Sequence, residues 1–158
     1  MGKELRRGYT TGTCAAAAAR AAALALWQGK KVEAVTLTLP CGERITLPVT
    51  VYSGPGWAEA VAIKDAGDDP DVTHGAAIHV RARERDGGLI LLGGEGIGKV
   101  TRPGLAVAVG EPAINPVPRQ MIAAAVAEVL PPGRGMELEI SIPGGEKLAR
   151  RTLNPRLG

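Results

Sequence analysis

Residues 8–27, GYTTGTCAAAAARAAALALW, constrain the fold more than any other stretch, because a threonine-rich lead runs into a block of alanines. Alanine has the highest helix propensity and almost no side-chain bulk. The pattern predicts a helix over about 13–28, and Gly29 stands where a left-handed residue ends such a helix. A helix with so little side-chain volume either packs very close to a neighbouring element or lets a ligand lie against it.

The remaining segments predict more strands than helices. In chain order these are a hairpin over 35–49, a strand over 56–64, a hairpin over 77–92 that turns at Asp86-Gly87, and a strand over 136–143. A second helix is predicted over 115–130, capped by Asn115 with Pro116 in its first position. Because no regular βαβ alternation is present, residues 1–158 are predicted to form a single α+β domain. Its sheet is mostly antiparallel or mixed, and two helices cover one face.

Composition narrows the classes of partner. Aromatic residues make up 3% of the chain, so stacking platforms for bases are scarce and no nucleic-acid partner is expected. The net charge of +3 suits a small anionic ligand. Cys14 and Cys41 are too few for a disulfide framework or a thiolate zinc site. Arg20 interrupts the first apolar run, and no segment reaches the ~20 apolar residues of a membrane span. A cytoplasmic protein without a membrane partner is expected.

The threonine-rich lead is the first candidate site. A helix N-terminus offers backbone N–H groups and positive potential to a phosphate or carboxylate, and Thr10, Thr11 and Thr13 could add hydroxyl donors. Cys14 in the first turn could have a lowered pKa and act as a nucleophile. The alternative is ordinary capping by one threonine, with Cys14 as a small core residue.

The second candidate is the loop KDAGDDPDVTHG at 64–75, which combines a lysine, four aspartates and a histidine. Such a cluster can bind a hard cation or perform acid–base chemistry. Its spacing does not fit an EF-hand, because Pro70 intrudes and Ala76 stands where the closing glutamate belongs. The alternative, which spacing alone favours, is a turn rich in aspartate caps.

The third candidate is GGEGIGKVTRPG at 93–104, which nearly matches a P-loop. Val100 replaces the residue that would hold magnesium, and Pro103 blocks the helix that should follow, so nucleotide hydrolysis is not favoured. A backbone-lined ligand loop remains, with Glu95 as an acid or base and Lys99 and Arg102 as contacts to an anion.

Five strings together resemble one family: GYTTGTCAAAAA, WAEAVAIKDAGDDPDVTHG, GGEGIGKVTRPG, VGEPAINPVPRQMI and GGEKLARRTLNPRLG. They are similar to the signature blocks of the CbiD family, the cobalt-precorrin-5B C(1)-methyltransferases of anaerobic cobalamin biosynthesis. The blocks lie in order and cover nearly all of the chain. The resemblance implies transfer of a methyl group from S-adenosylmethionine to ring carbon C-1 of a cobalt-bound, carboxylate-rich tetrapyrrole.

The resemblance gives the three candidate stretches a shared role. Charge-assisted bonds to the substrate carboxylates would orient the macrocycle, and methyl transfer needs alignment more than a nucleophile, so Cys14 reverts to a core residue. The candidates for proton removal or charge stabilisation are Asp65, Asp68, Asp69 and Glu95. The candidates for substrate binding are Thr10, Thr11, Thr13, Lys64, Asp71, Thr73, His74, Gly94, Gly96, Gly98, Lys99, Arg102, Asn115 and Arg119. No resident metal is expected.

Family members continue past LNPRLG into a glycine-rich segment, so the chain is expected to be the N-terminal portion of such an enzyme. A homo-oligomer and a separate C-terminal half both remain open as partners. The rival interpretations are a non-catalytic tetrapyrrole-binding half, a phosphate- or nucleotide-binding enzyme, and a metal-dependent hydrolase that uses the acidic loop.

Overall fold

The computed structural model describes residues 10–64, 75–97, 114 and 116–143. In chain order, its elements are α1 (Thr11–Gln28), β1 (Ala34–Thr38), β2 (Arg44–Pro48), β3 (Thr50–Gly54), β4 (Trp57–Ile63), β5 (Ala77–Arg85), β6 (Leu89–Gly93), α2 (Pro116–Ala127) and β7 (Gly135–Ser141). β1 and β2 form a two-stranded antiparallel sheet, and the other strands form a five-stranded sheet in the order β3-β4-β5-β7-β6. Only the β6–β7 pair within these described strands is parallel. The predicted α+β class with a mixed sheet is confirmed.

Local signals fix both ends of α1. Thr10 is the N-cap, with an extended backbone (φ −72°, ψ 161°), and its hydroxyl accepts a hydrogen bond from the backbone N–H of Thr13. Gly29 ends the helix in the left-handed conformation at φ 66°, and its N–H donates to the carbonyl of Ala25 over 3.1 Å. The predicted helix and its glycine end are therefore confirmed.

The alanines of α1 lie at the centre of the molecule. Residues 15–19 and 21–23 are at most 4% exposed, and α1 contacts the five-stranded sheet through β4 and β5 and also contacts α2. A helix that is buried on all sides needs small side chains wherever two layers approach it. Close packing, one of the two interpretations of the alanine block, is confirmed.

The two helices lie side by side and run in the same direction. A Cβ atom on Gly12, near the start of α1, would lie 3.0 Å from the Cβ of Pro118 in the first turn of α2. Further along, the Nη1 of Arg20 donates to the carbonyl oxygen of Ala125 over 3.0 Å. Both helices therefore begin at the same end of the molecule.

The second helix begins at Pro116, as predicted, and its buried face carries Ile122, Ala125 and Val126. It ends at Ala127, whereas the sequence predicts an end near 130. The N–H groups of Val129 and Leu130 both donate to the carbonyl of Val126, which closes the helix in a turn. The cap predicted at Asn115 lies outside the described residues.

The prediction of a hairpin over 77–92 is wrong. β5 pairs antiparallel with β7, and β6 pairs parallel with β7, so β7 lies between the two arms. Gly135 starts β7 inside the turn that joins β5 to β6, and the N–H of Met136 donates to the carbonyl of Gly88. A Cβ atom on Gly135 would lie 2.7 Å from the carbonyl oxygens of both Arg85 and Gly88, so only glycine fits there without a shift.

The hairpin over 35–49 is confirmed as β1 and β2, and the strand over 56–64 is confirmed as β4. Strand β3 is not predicted from the sequence. Its residues, TVYSG, show no apolar alternation, and each of them is exposed or half-exposed in the structure. It pairs antiparallel with β4 and forms one edge of the five-stranded sheet.

Candidate functional site

The register of the sheet brings several predicted site stretches to one end. Ile63 at the end of β4 pairs with Ala77 at the start of β5. His79 in β5 pairs with Ser141 at the end of β7. Gly93 at the end of β6 pairs with Ile140 in β7. Lys64, which follows β4, and the turn that follows β6 therefore lie along the same edge of the sheet.

The start of α1 is directed toward that same edge. At the other end of the helix, the indole N–H of Trp27 donates to the sulfur of Met136 over 3.3 Å, and Met136 lies near the start of β7. The 18 residues of α1, at about 1.5 Å per residue, make the helix at least as long as the seven-residue β7. The start of α1 therefore reaches the level at which β7 ends. We name this region the convergent end: the starts of α1 and α2, Lys64, and the turn 94–97.

The threonine lead acts mainly as a cap. The hydroxyls of Thr10 and Thr13 lie 2.8 Å apart in a hydrogen bond, and the hydroxyl of Thr10 also accepts from the N–H of Thr13 over 3.0 Å. Thr11 and Thr13 are 6% and 4% exposed, and Thr10 is exposed. Thr10 is therefore the threonine of this lead that an incoming ligand reaches first.

Cys14 is fully buried in the hydrophobic core. A nucleophilic thiol must be reached by its electrophile, and reactive cysteines lie in partly exposed, electropositive surroundings. The interpretation of Cys14 as a small core residue is therefore the one that the structure supports. Cys41, in the turn between β1 and β2, is exposed.

The turn 94–97 contains three of the predicted site residues. The N–H of Ile97 donates to the carbonyl of Gly94 over 3.2 Å, and Gly96 has a φ of 80°, a backbone conformation that favours glycine. The carbonyl of Glu95 accepts from the N–H of Ile142 over 2.7 Å, which ties the turn to the chain after β7. The side chain of Glu95 is exposed, so its carboxylate is placed to meet a ligand at the convergent end.

Two predicted cationic residues also lie at the convergent end. Lys64 is only 8% exposed, and its backbone bonds to Ala76 and Gly75 close the base of the loop that the sequence singles out. Arg119 in the first turn of α2 is half-buried, and its Nε donates to the carbonyl of Ile114 over 2.7 Å. The side chain of Arg119 therefore ties the first turn of α2 to Ile114, which precedes the helix.

Ten predicted site residues lie outside the described residues, so their roles stay predictions. They are Asp65, Asp68, Asp69, Asp71, Thr73, His74, Gly98, Lys99, Arg102 and Asn115. The described residues that flank them, Lys64 and Gly75 on one side and Ile97 and Ile114 on the other, lie at or next to the convergent end.

The electrostatics of the described helices favour an anion at the convergent end. Neither α1 nor α2, as described, carries an acidic residue in its first turn. Each helix start holds roughly half a positive charge from the aligned peptide dipoles, and no acidic side chain of its own first turn offsets it. Two parallel helix starts reinforce one another, whereas an antiparallel pair would cancel. A carboxylate-rich ligand gains from this arrangement.

A separate groove of about 590 Å³ lies between the two helices and the β1–β2 hairpin. Its charged lining includes Arg20 and Glu128, whose side chains lie 3.7 Å apart, and Arg44 from β2. The sequence does not mark this groove, because its residues come from distant segments with no shared motif. Within the described residues, no group of three histidines, cysteines or acids could hold a metal ion.

A polar cluster on the sheet also escapes prediction from the sequence. Glu59 lies 3.3 Å from the Nε of Arg81 and 3.6 Å from the Nδ1 of His79, and the guanidinium of Arg81 sits 4.8 Å from the ring centre of Trp57. The sequence does show that these polar residues share one face of each strand, because they alternate with the buried positions of WAEAVAI and AIHVRARER. Only the strand register shows that they meet.

Among the described residues, no helix combines the length and apolar character that crossing a membrane requires. The predicted cytoplasmic location stays a prediction.

Comparison with known proteins identifies the family of this chain. The sequence matches the family model described as CbiD over residues 1–158. It is 75% identical over 158 residues to the cobalt-precorrin-5B C(1)-methyltransferase of Moorella thermoacetica, a match that covers 100% of this chain and 43% of that protein. It is 52% identical over 159 residues to the protein of that name from Thermoanaerobacter sp., covering 99% of this chain and 43% of that protein.

A solved structure gives the same result. The crystal structure of the cobalamin biosynthesis protein (cbiD) from Archaeoglobus fulgidus superposes with a TM-score of 0.64 at 31% identity, covering 94% of this chain and 47% of that one. The chain thus spans less than half the length of the relatives it matches.

The fold defines an α+β protein in which two parallel helices begin at the same end of a mixed sheet. The chain belongs to the CbiD family.

Proposed function

We propose that this chain contributes the substrate-orienting part of a cobalt-precorrin-5B C(1)-methyltransferase that uses S-adenosylmethionine. The observation that carries the proposal is the 75% identity, over the whole chain, to a relative of that name. The convergent end supports it, because a tetrapyrrole with several acetate and propionate groups needs positively polarised contacts at more than one point. Two parallel helix starts supply such contacts from the backbone.

The reaction places limited demands on side chains. The methyl group leaves the sulfonium with rupture of the carbon–sulfur bond, whose electron pair stays on sulfur. An electron pair of the macrocycle forms the new carbon–carbon bond at C-1. Because the sulfonium charge passes to the macrocycle, loss of a proton from the ring restores its charge. The protein must therefore align the two carbon atoms and accept one proton.

Glu95 is the described carboxylate best placed to accept that proton. It is exposed on a turn held by bonds from Ile97 to Gly94 and from Ile142 to Glu95 itself, so its backbone position is defined from two sides. The predicted acids Asp65, Asp68 and Asp69 are the alternatives. Thr10, at the start of α1, would donate its hydroxyl hydrogen to a substrate carboxylate, with the hydroxyl of Thr13 as the donor in the bond between the two threonines.

A binding titration tests the orienting role. The chain is titrated with a cobalt corrinoid that carries free carboxylates, and visible absorption is followed at low and at high salt. The matched control ligand is the same corrinoid with its side chains converted to amides. We expect a saturable change for the acid, weakened by salt, and at least tenfold weaker binding of the amide. Equal binding of both ligands, or no saturable change at any salt, would refute the orienting role.

A second experiment tests catalysis, with the remaining portion of the Moorella thermoacetica protein joined to this chain. Transfer of a labelled methyl group from S-adenosylmethionine to cobalt-precorrin-5B is measured for the parent and for Glu95→Gln. A general base contributes about 10²–10⁴-fold, so we expect a fall of that order in kcat with an unchanged KM. An unchanged kcat would remove Glu95 as the base and leave the three aspartates.

The non-catalytic tetrapyrrole-binding half is the second candidate, because the chain covers 43% of the relative. It predicts corrinoid binding by the chain alone with methyl transfer only when the remaining portion is added. Methyl transfer by the chain alone would reject it.

A further inference from the structure

The face of the five-stranded sheet that points away from α1 is not covered by any described element. Ala58, Ala60 and Ala62 of β4 are buried on the helix side, and the residues between them are half-buried on the opposite side. We name this opposite side the open face. It is defined by the row in which Tyr52, Glu59, Arg81, Glu139 and Leu92 pair across all five strands.

The open face collects most of the apolar side chains that the described residues expose. Tyr52, Ile63, Leu92 and Val117 are 53%, 54%, 36% and 54% exposed, and they are the four large hydrophobic residues in that class. Tyr52, Ile63 and Leu92 all lie on the open face, the first on an edge strand, the second at the end of β4 and the third on the opposite edge strand. Val117 lies in α2 and lines the groove between the two helices and the β1–β2 hairpin, so it is not on the open face.

The centre of the open face is polar and already ordered. Glu59 holds Arg81 and lies near His79, and these side chains are 22%, 37% and 29% exposed. The guanidinium of Arg81 also lies 4.8 Å from the ring centre of Trp57, so Arg81 has a second partner on this face. Interfaces between domains of one polypeptide are more polar than obligate dimer interfaces, so a paired, half-buried polar centre is compatible with such an interface.

The size of the open face fits such an interface. Five strands spaced about 4.8 Å apart and about 20 Å long give ~500 Å² for one side, or roughly 1,000 Å² for both partners. Interfaces between domains bury about 600–1,500 Å² in total. The relatives contain a further polypeptide portion that could cover this face, because the chain covers 43% of the Moorella thermoacetica protein and 47% of the Archaeoglobus fulgidus chain.

We propose that the remaining portion of the relatives' polypeptide packs on the open face of this sheet. Its contact surface would place apolar side chains against Tyr52 and Leu92 and hydrogen-bonding groups over the pair of Glu59 and Arg81. The inference rests on family membership and on the geometry of the face, and it does not depend on the reaction that the protein catalyses.

Cysteine labelling tests the proposal in two forms of the protein. One is the 158-residue chain, and the other is this chain joined to the remaining portion of the Moorella thermoacetica protein. Cys41 is first replaced by serine, because it is exposed. Single cysteines are then placed by Tyr52→Cys, Leu92→Cys and, as the matched control, Val117→Cys.

We expect thiol modification at positions 52 and 92 to slow at least tenfold in the joined protein, and modification at 117 to change less than twofold. Equal rates at 52 and 92 in both forms would overturn the proposal, and so would protection of 117 alone. Protection of 52 and 92 in the 158-residue chain that rises with protein concentration would also overturn it, because the occupant would then be a second copy.

Hydroxyl-radical footprinting of the unsubstituted proteins gives the same comparison if a cysteine variant fails to fold. Tyr52 and Trp57 should lose reactivity in the joined protein, and Val117 should keep it. Neither readout needs activity, so failure of the interface and failure of the proposed reaction are seen separately.

Discussion

The position of Gly135 allows a sharp test of the sheet order. In the structure, a Cβ atom at this position would lie 2.7 Å from the carbonyl oxygens of Arg85 and Gly88 and 2.9 Å from the N–H nitrogen of Gly87. All three atoms belong to the backbone, so no side chain can swing away. Gly135→Ala must therefore shift the turn between β5 and β6 or the start of β7.

The sign of the effect separates the two possible strand orders. Overpacking by one methyl group costs about 1–3 kcal/mol, and alanine returns about 0.4–1 kcal/mol by restricting the unfolded chain. With β7 inserted between β5 and β6, the net loss is about 1–2 kcal/mol. If β5 and β6 instead formed the hairpin that the sequence suggests, Gly135 would have open space and alanine would stabilise the protein.

Urea unfolding followed by tryptophan fluorescence, to which both Trp27 and Trp57 contribute, measures this difference; Trp27 lies against Met136. A loss of about 1–2 kcal/mol corresponds to a fall in Tm of roughly 2–8 °C for a chain of this size. Hydrogen exchange at the amide of Met136, which donates to Gly88 in the structure, should accelerate in the variant. An unchanged or raised stability would refute the insertion of β7.

Gly133→Ala is the matched control. Gly133 has a φ of 74°, and a Cβ atom there would meet no atom of a non-adjacent residue within 4 Å, so alanine meets backbone strain without a collision. We expect a loss of about 1–2 kcal/mol from the left-handed conformation and no selective acceleration of exchange at Met136.

Three further outcomes follow from the environment of α1. Thr10→Ala should lower the free energy of unfolding by about 1 kcal/mol, because the cap to Thr13 is lost, and Thr10→Ser should retain it; equal losses in urea titrations would contradict the cap. Titration with a thiol reagent should modify only Cys41 in the native protein and Cys14 only after unfolding; rapid modification of both would contradict the burial of Cys14. Ala18→Leu should destabilise by about 1–3 kcal/mol, since Ala18 is fully buried between layers, and a neutral result in the same titration would contradict close packing.

Helix ends and strands can be predicted from the sequence wherever the conformation of a segment depends on residues within that segment. Thr10, Gly29 and Pro116 mark helix ends through hydrogen bonds and backbone angles that involve only their near neighbours. The strands β1, β2 and β4 are predictable in the same way, because apolar residues alternate along them. The α+β class follows from the count and order of these elements.

Strand pairing is not predictable from the segments alone. Asp86-Gly87 signals that the chain reverses after β5, but a reversal does not determine which strand fills the space between the two arms. That space is taken by β7, far along the chain, because Gly135 removes the side chain that would exclude it. The predicted end of α2 lies three residues past Ala127, because Val129 and Leu130 still bond to the carbonyl of Val126 in a terminal turn.

The helices, their caps, most of the strands and the stretches that carry chemistry are encoded locally, because each depends on contacts within a few residues. Long-range packing is what brings Lys64, Glu95 and the starts of α1 and α2 to one end of the molecule. The same is true of Glu59, Arg81 and His79, which meet on the open face. Both arrangements depend on strand register and on the parallel packing of two helices, and such pairings between distant segments leave no signal in either segment alone.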